Sequence, residues 1–102
     1  MKAEMTFNAV ALEAQGYAIE DVYDTIKRAF VKRGLRCTSE SEVLSFEGVG
    51  SEHDFANMVG LLVNLVQVDW FMACASSCIF CADDGSIEDV LCSAPKILQI
   101  LS

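Results

Sequence analysis

The chain has 102 residues, of which 53% are hydrophobic, and its 15 acidic and 7 basic side chains give a formal net charge of −8. The length predicts a single domain over residues 1–102. The acidic balance argues against binding to nucleic acids or anionic membranes, because both depend on contacts from Lys and Arg.

The first third of the chain predicts a strand followed by a helix. Residues 3–12 partly alternate between apolar and polar side chains, which favours a strand, although a short helix over residues 8–14 also fits. Residues 18–33 have apolar side chains at helical spacing, with acids at the start and bases at the end. This order complements the helix dipole, so we predict a helix that ends before Gly34.

The middle of the chain predicts a hairpin and a second helix. Residues 35–49 contain two short alternating segments around the polar turn "SESE". Ser51 and Asp54 have the spacing of a capping box, so we expect a helix from Ser51 to about residue 67. Its main apolar face is predicted to contain Phe55, Met58, Val59, Leu62, Leu65 and Val66.

The second helix also has a narrower apolar stripe of small residues, Ala56, Gly60 and Val63. Glycine costs about 1 kcal/mol relative to alanine inside a helix, and a close backbone approach at Gly60 would offset that cost. The stripe either contacts the first helix or forms a surface for a partner, and the sequence leaves both interpretations open.

The last third of the chain predicts a strand over residues 68–82, a short helix over residues 86–93 and a helical tail that starts at Pro95. The order of elements is that of a ferredoxin-like βαββαβ two-layer α+β sandwich with a short helical C-terminal tail. In the usual strand order of that fold, residues 68–82 form an exposed edge strand, which is a template for pairing with another chain.

Three cysteines occur together in "CASSCIFC", residues 74–81. The spacing resembles the C-x3-C-x-aromatic-C signature of radical SAM enzymes, with Phe80 at the aromatic position. The resemblance covers eight residues and implies a [4Fe–4S] cluster held by three thiolates. That family builds its site on a partial or full (β/α) barrel, in a loop after an early strand. Here the motif lies late in the chain, and too few residues follow it to form a barrel.

The cysteines also allow a self-contained iron–sulfur or zinc site made of Cys74, Cys78, Cys81 and Cys92. In a strand, however, Cys74 and Cys78 would lie about 13 Å apart, and Cys81 would point to the opposite face. The sulfur ligands of one zinc ion must lie within roughly 4 Å of each other. Cysteine is also among the most buried residue types. We therefore favour core packing and expect no cofactor.

The remaining candidates for chemistry are isolated. His53 is expected to be a solvated surface residue, and "GVGS" (48–51) resembles an anion-binding loop only weakly, since it lacks a lysine. No nucleophile, base and oxyanion donor converge in the sequence, which argues against an enzyme.

The sequence also bears on the location of the protein. The run of apolar residues at 61–68 is too short to span a bilayer, and no secretion signal follows Met1. The number of cysteines, five, is odd, which favours reduced thiols over a set of disulfides. We expect a cytoplasmic protein.

The surplus of apolar residues in a small chain indicates that part of its surface is covered by a partner. We therefore expect a non-enzymatic oligomerisation or protein-binding module, with a homodimer or another protein as the partner. The interface is predicted to involve Ala56, Gly60, Val63, Trp70 and Phe71.

Overall fold

The computed structural model describes residues 1–92 and has a mixed α+β architecture around one five-stranded antiparallel sheet. The strands are arranged in the order β2-β3-β1-β4-β5. None of the helices within this part of the chain is both long and apolar enough to cross a membrane. The elements are β1 (Lys2–Phe7), α1 (Ala9–Ala14), α2 (Ile19–Lys32), β2 (Arg36–Glu40), β3 (Leu44–Glu47), α3 (Asp54–Val66), α4 (Asp69–Cys74), β4 (Ala75–Cys81) and β5 (Ile87–Asp89).

The N-terminal segment is a strand and then a helix, so the prediction of one strand over residues 3–12 is wrong beyond Phe7. Asn8 ends the strand because its side chain caps α1: its Oδ1 accepts a hydrogen bond from the Ala11 backbone N–H at 3.1 Å. Its own N–H donates to the Cys74 carbonyl at 2.8 Å. An asparagine at this position is a strong helix start signal, and the alternative of a short helix over residues 8–14 is confirmed.

The helix predicted over residues 18–33 is confirmed as α2. Its buried residues follow helical spacing, and the ring of Phe30 stacks on that of Phe46 with a centroid distance of 4.1 Å. Gly34 follows the helix with a φ of +86°, a conformation that favours glycine. The α2 side chains in the core are Val22, Tyr23, Ile26 and Phe30.

The hairpin predicted over residues 35–49 is confirmed as β2 and β3, which pair antiparallel. The next helix, α3, begins at Asp54 rather than at Ser51. The buried Asp54 carboxylate accepts hydrogen bonds from the backbone N–H groups of Gly50 and Ser51, at 2.9 Å and 3.1 Å. A Cβ atom at Gly48 would lie 2.5 Å from an Asp54 carboxylate oxygen. The loop before α3 is therefore organised around one carboxylate.

The segment predicted as a strand over residues 68–82 is divided between α4 and β4. Phe71 and Cys74 are three residues apart and fully buried, which is the spacing of a helical face. The strand begins only at Ala75. It pairs with β1 on one side and with β5 on the other, so the prediction that this segment is an exposed edge strand is wrong.

Residues 87–89 form a strand where a helix was predicted over residues 86–93. The pairing partner, residues 79–81 of β4, determines this conformation. Helical structure begins at Val90, and the Asp89 carboxylate accepts a hydrogen bond from the Cys92 backbone N–H at 3.2 Å. The helix predicted from residue 86 therefore begins only at Val90, after Asp89. The tail predicted from Pro95 lies outside the described residues.

The core lies between the helices and one face of the sheet. Alternate residues of the central strands contribute to it, because successive side chains of a strand point to opposite faces. On the opposite face, Lys2 lies 3.1 Å from Glu4, and the hydroxyls of Thr6 and Ser77 are 2.7 Å apart. The sheet residues that are fully buried in the core are Ala3, Met5, Leu44, Phe46 and Cys78.

Candidate interaction surface

One side of α3 is apolar but is not covered by the described chain. The helix packs into the core through Met58, Leu61, Leu62 and Val66. Phe55 and Val59 were predicted to share the main apolar face with Met58, but Phe55 is 56% exposed and Val59 is half-buried, so the structure divides that face. We call the apolar residues on the uncovered side the α3 outer face: Phe55, Ala56, Val59, Gly60 and Val63.

A shallow groove lies beside the α3 outer face. It has a volume of about 150 Å³ and runs between α3 and the strands β4 and β5. Phe55 lies next to it, because its ring is 6.1 Å from that of Phe80 in an edge-on arrangement. The residues that line the groove are Val59, Leu62, Val63, Phe80, Glu88 and Val90.

The helix presents almost no charge to this surface. Asp54 is its single charged residue, and that carboxylate is buried and bonded to the preceding loop. Within residues 1–92, Glu88 is the one charged residue that lines the groove. A face of this kind is unusual on a chain with a net charge of −8, and exposed apolar surface of this type is typical of interaction sites.

The residues predicted to form an interface are separated in the structure. Ala56 is exposed, and Gly60 and Val63 are half-buried on the α3 outer face. Trp70 lines a different groove, beside Tyr17. Phe71 is fully buried in the core, where its ring packs edge-on against that of Phe7 at 5.8 Å, so it contributes nothing to a surface. Its assignment to an interface is wrong, because α4 turns it inward.

Gly60 has open space beside it. Within the described chain, no heavy atom lies within 4 Å of a Cβ atom built at this position. The close backbone approach expected there is therefore not made by α2 or by any other described element. Of the two interpretations left open by the sequence, contact with the first helix is therefore not what residues 1–92 show at Gly60, and a partner surface stays a prediction.

The four cysteines of the alternative metal site have different surroundings. Cys74 and Cys78 are fully buried in the core, Cys81 is half-buried, and Cys92 is exposed. In the register of the sheet, Cys78 pairs with the buried Met5, whereas Cys81 pairs with Lys2 on the opposite face. Within residues 1–92, no three His, Cys, Asp or Glu side chains are grouped so that they could hold a metal ion.

The thiols for which a pKa shift is resolved are less acidic than an ordinary cysteine. Burial raises the pKa of Cys78 to about 12. Burial also raises the pKa of Cys37, with a smaller contribution from Glu40. Hydrogen bonding to Asp89 raises the pKa of the Cys92 thiol. The thiolate is the nucleophilic form, so these three positions are poorly suited to redox or nucleophilic chemistry at neutral pH.

The other sequence candidates also have simple structural roles. His53 lies at the N-terminus of α3, with its side chain 74% exposed and 3.5 Å from Glu52. The N–H groups of Gly50 and Ser51, which an anion would need, are occupied by the Asp54 carboxylate. The loop at residues 48–51 is therefore filled by its own side chain and offers no anion site.

Comparison of the chain with protein-family models, with curated proteins and with solved structures gives no match.

Proposed function

We propose that this protein is a non-enzymatic association module that forms a homodimer through the α3 outer face. The observation that supports this most directly is the continuous apolar strip of α3 beside an open groove, with the ring of Phe55 56% exposed at its edge. Burial of an exposed phenylalanine contributes roughly 1.5–3 kcal/mol. Aromatic anchors next to a pocket are also typical of residues that dominate binding energy.

The charge distribution favours a second copy of the same chain as the partner. Two molecules with a net charge of −8 repel each other, so they associate best through a surface that has few exposed charges. The α3 outer face meets this condition. In a two-fold dimer the same patch faces itself, so Phe55 of each copy enters the groove of the other.

The dimer interface must also include the surface that surrounds the α3 outer face. A helix of thirteen residues is about 20 Å long, and a standard interface buries about 800 Å² on each partner. We therefore assign the α3 outer face to the centre of the contact and surrounding polar residues to its rim, as in most interfaces.

For the fold class, we propose a ferredoxin-like sandwich formed by β1, α2, β2, β3, α3 and β4, with β5 added beside β4. The neighbour relations β2-β3-β1-β4, all antiparallel, support this assignment.

For the location, we propose the cytoplasm, supported by five cysteines that are all free, which is typical of a reducing compartment.

The test of the dimer is sedimentation of the full chain over a range of concentrations. We expect a dimer at micromolar concentration in the unsubstituted protein. Phe55→Asp is expected to raise the dissociation constant about 30-fold, because it removes an anchor and introduces like charges. The substitution is compatible with the helix, since an acid in the first turn is favourable.

The matched control is Val10→Asp. Val10 is also an exposed apolar residue in the first turn of a helix, with 75% of its side chain exposed, but it lies on α1. It is expected to leave the dissociation constant unchanged. A clean monomer across micromolar concentrations, or equal weakening by both substitutions, would overturn the proposal.

A further inference from the structure

A second groove shares no lining residue with the groove beside α3. It has a volume of about 180 Å³ and is formed where the loop before α2, the first turns of α2 and the start of α4 meet. The rings of Tyr17 and Trp70 lie 5.9 Å apart and are tilted by 47°. We call it the aromatic groove, and its lining residues are Tyr17, Asp21, Val22, Thr25 and Trp70.

The surroundings of the aromatic groove are acidic. Asp21 lines the groove itself, and Tyr17 also lines an adjoining cleft of about 440 Å³ that contains Glu13 and Glu20. Within residues 1–92, no Lys, Arg or His lies within ion-pair distance of these three carboxylates. The N-terminus of α2 contributes only about half a positive charge, which three carboxylates outweigh.

Aromatic rings beside carboxylates that have no cationic partner in residues 1–92 favour the binding of organic cations. The face of an aromatic ring is electron-rich and attracts cations within about 6 Å of its centre, and quaternary ammonium groups are bound in this way. The carboxylates add attraction over a longer range and reject anions. The volume is below the roughly 300 Å³ that is the lower end for drug-sized ligands, so it fits one small group.

We propose that the aromatic groove binds a small organic cation of the quaternary ammonium class. Tyr17 and Trp70 contact the methylated head group with their ring faces, and Asp21 provides the counter-charge. The head group belongs either to a free small molecule or to a trimethyllysine side chain of a peptide. The site is independent of dimerisation, because the α3 outer face and its groove contain none of these residues.

The test uses the fluorescence of Trp70, which is the single tryptophan of the chain and therefore reports on this groove alone. The full-length protein is titrated with choline, and a shift of the emission with a dissociation constant of about 1 mM is expected for a small exposed cation site. The uncharged isostere, in which a tert-butyl group replaces the trimethylammonium group, is expected to give no saturable shift. An equal response to both compounds would mean that the groove is merely apolar and would overturn the proposal.

Two variants keep the reporter and alter the site. Tyr17→Leu removes one ring at a position where the side chain is 43% exposed, so the fold tolerates it. We expect about fivefold weaker binding from this change and about the same from Asp21→Asn. The control is Glu42→Gln, which removes one exposed carboxylate from the turn between β2 and β3. Equal weakening by the control would indicate general attraction to an acidic protein and would overturn the site.

A second titration separates the two sources of the cation. A short Gly/Ser peptide that contains trimethyllysine is compared with choline and with the same peptide carrying unmodified lysine. Tighter binding of the trimethyllysine peptide than of choline assigns the groove to a methylated protein segment, whereas tighter binding of choline assigns it to a free metabolite. If the unmodified lysine peptide binds as well as the methylated one, methyl groups are not recognised and the proposal fails.

Discussion

The thiol of Cys78 is buried in the hydrophobic core. Its side chain is fully buried, and this burial raises its pKa from 9.0 to about 12. At neutral pH the thiol is protonated and acts as a small apolar group. The residue therefore contributes to packing, and its chemistry appears only at alkaline pH.

We predict that the folded protein loses stability between about pH 9 and pH 12 because of Cys78. Below pH 9 the thiol is protonated in both the folded and the unfolded chain. Above it, the unfolded chain releases the proton while the folded chain retains it, so unfolding becomes more favourable. The loss is about 4 kcal/mol by the time the pH reaches 12. The measurement is the free energy of unfolding in urea at several pH values.

The control for this prediction is Cys78→Ala, which removes the titrating group. The variant is less stable at neutral pH because of the lost packing, but its stability is expected to fall less between pH 9 and pH 12. Other groups titrate in this range in both proteins, so the difference between the two profiles isolates Cys78. Parallel profiles would contradict the prediction.

At the scale of single elements, α3 allows a test of the open space beside Gly60. Gly60→Ala should stabilise the folded monomer by about 1 kcal/mol, because alanine is favoured inside a helix and nothing in the described chain obstructs the added methyl group. The unfolding free energy is measured at a concentration where the protein is monomeric. A destabilised monomer would show that another part of the chain occupies this space.

The same substitution has the opposite effect on the proposed dimer. If the backbone of a second copy approaches Gly60 closely, the methyl group separates the two helices, and the dissociation constant should rise about tenfold. Stability and dimerisation thus change in opposite directions. An unchanged dissociation constant would mean that Gly60 lies outside the contact, although Phe55 could still be part of it.

The sequence predicts some elements better than others. An element is predicted well when residues within it determine its structure, and poorly when its structure depends on contacts with distant parts of the chain. Helix α2 is predicted fully because its apolar period, its terminal charges and Gly34 all indicate the same boundaries. The segment at residues 68–82 is apolar at both helical and strand spacing, so the period does not separate α4 from β4. Strand β5 has only three residues, and its conformation depends on pairing with β4. The sequence pattern over residues 86–93 instead predicted a helix.

At the scale of the whole molecule, the sheet brings together residues that are far apart in the chain. Strand β1 pairs with β4 across about 75 residues of sequence, and this pairing carries Phe80 to the edge of α3. The small-residue stripe of α3 was visible in the sequence. The groove beside it and the aromatic groove were not, because Phe80, Val90, Tyr17 and Trp70 meet only through tertiary packing. Periodicity describes each element's faces but contains no information on which faces meet.

The net charge of the molecule gives the last prediction, which concerns the salt dependence of the proposed dimer. Two copies with a charge of −8 each repel each other across the interface. Added salt shortens the screening length from about 30 Å at 0.01 M to about 3 Å at 1 M. The dissociation constant measured by sedimentation should therefore fall, by about threefold, when salt is raised across this range.

Ala56 makes this prediction specific to the α3 outer face. It is exposed on that face, so a carboxylate introduced there lies close to the second copy in the dimer. Ala56→Glu should increase the salt dependence, whereas Val10→Glu, at an exposed position on α1, should leave it almost unchanged. A dissociation constant that rises with salt would contradict a dimer of two acidic chains. It would indicate a contact held by opposite charges, because screening weakens attraction as well as repulsion.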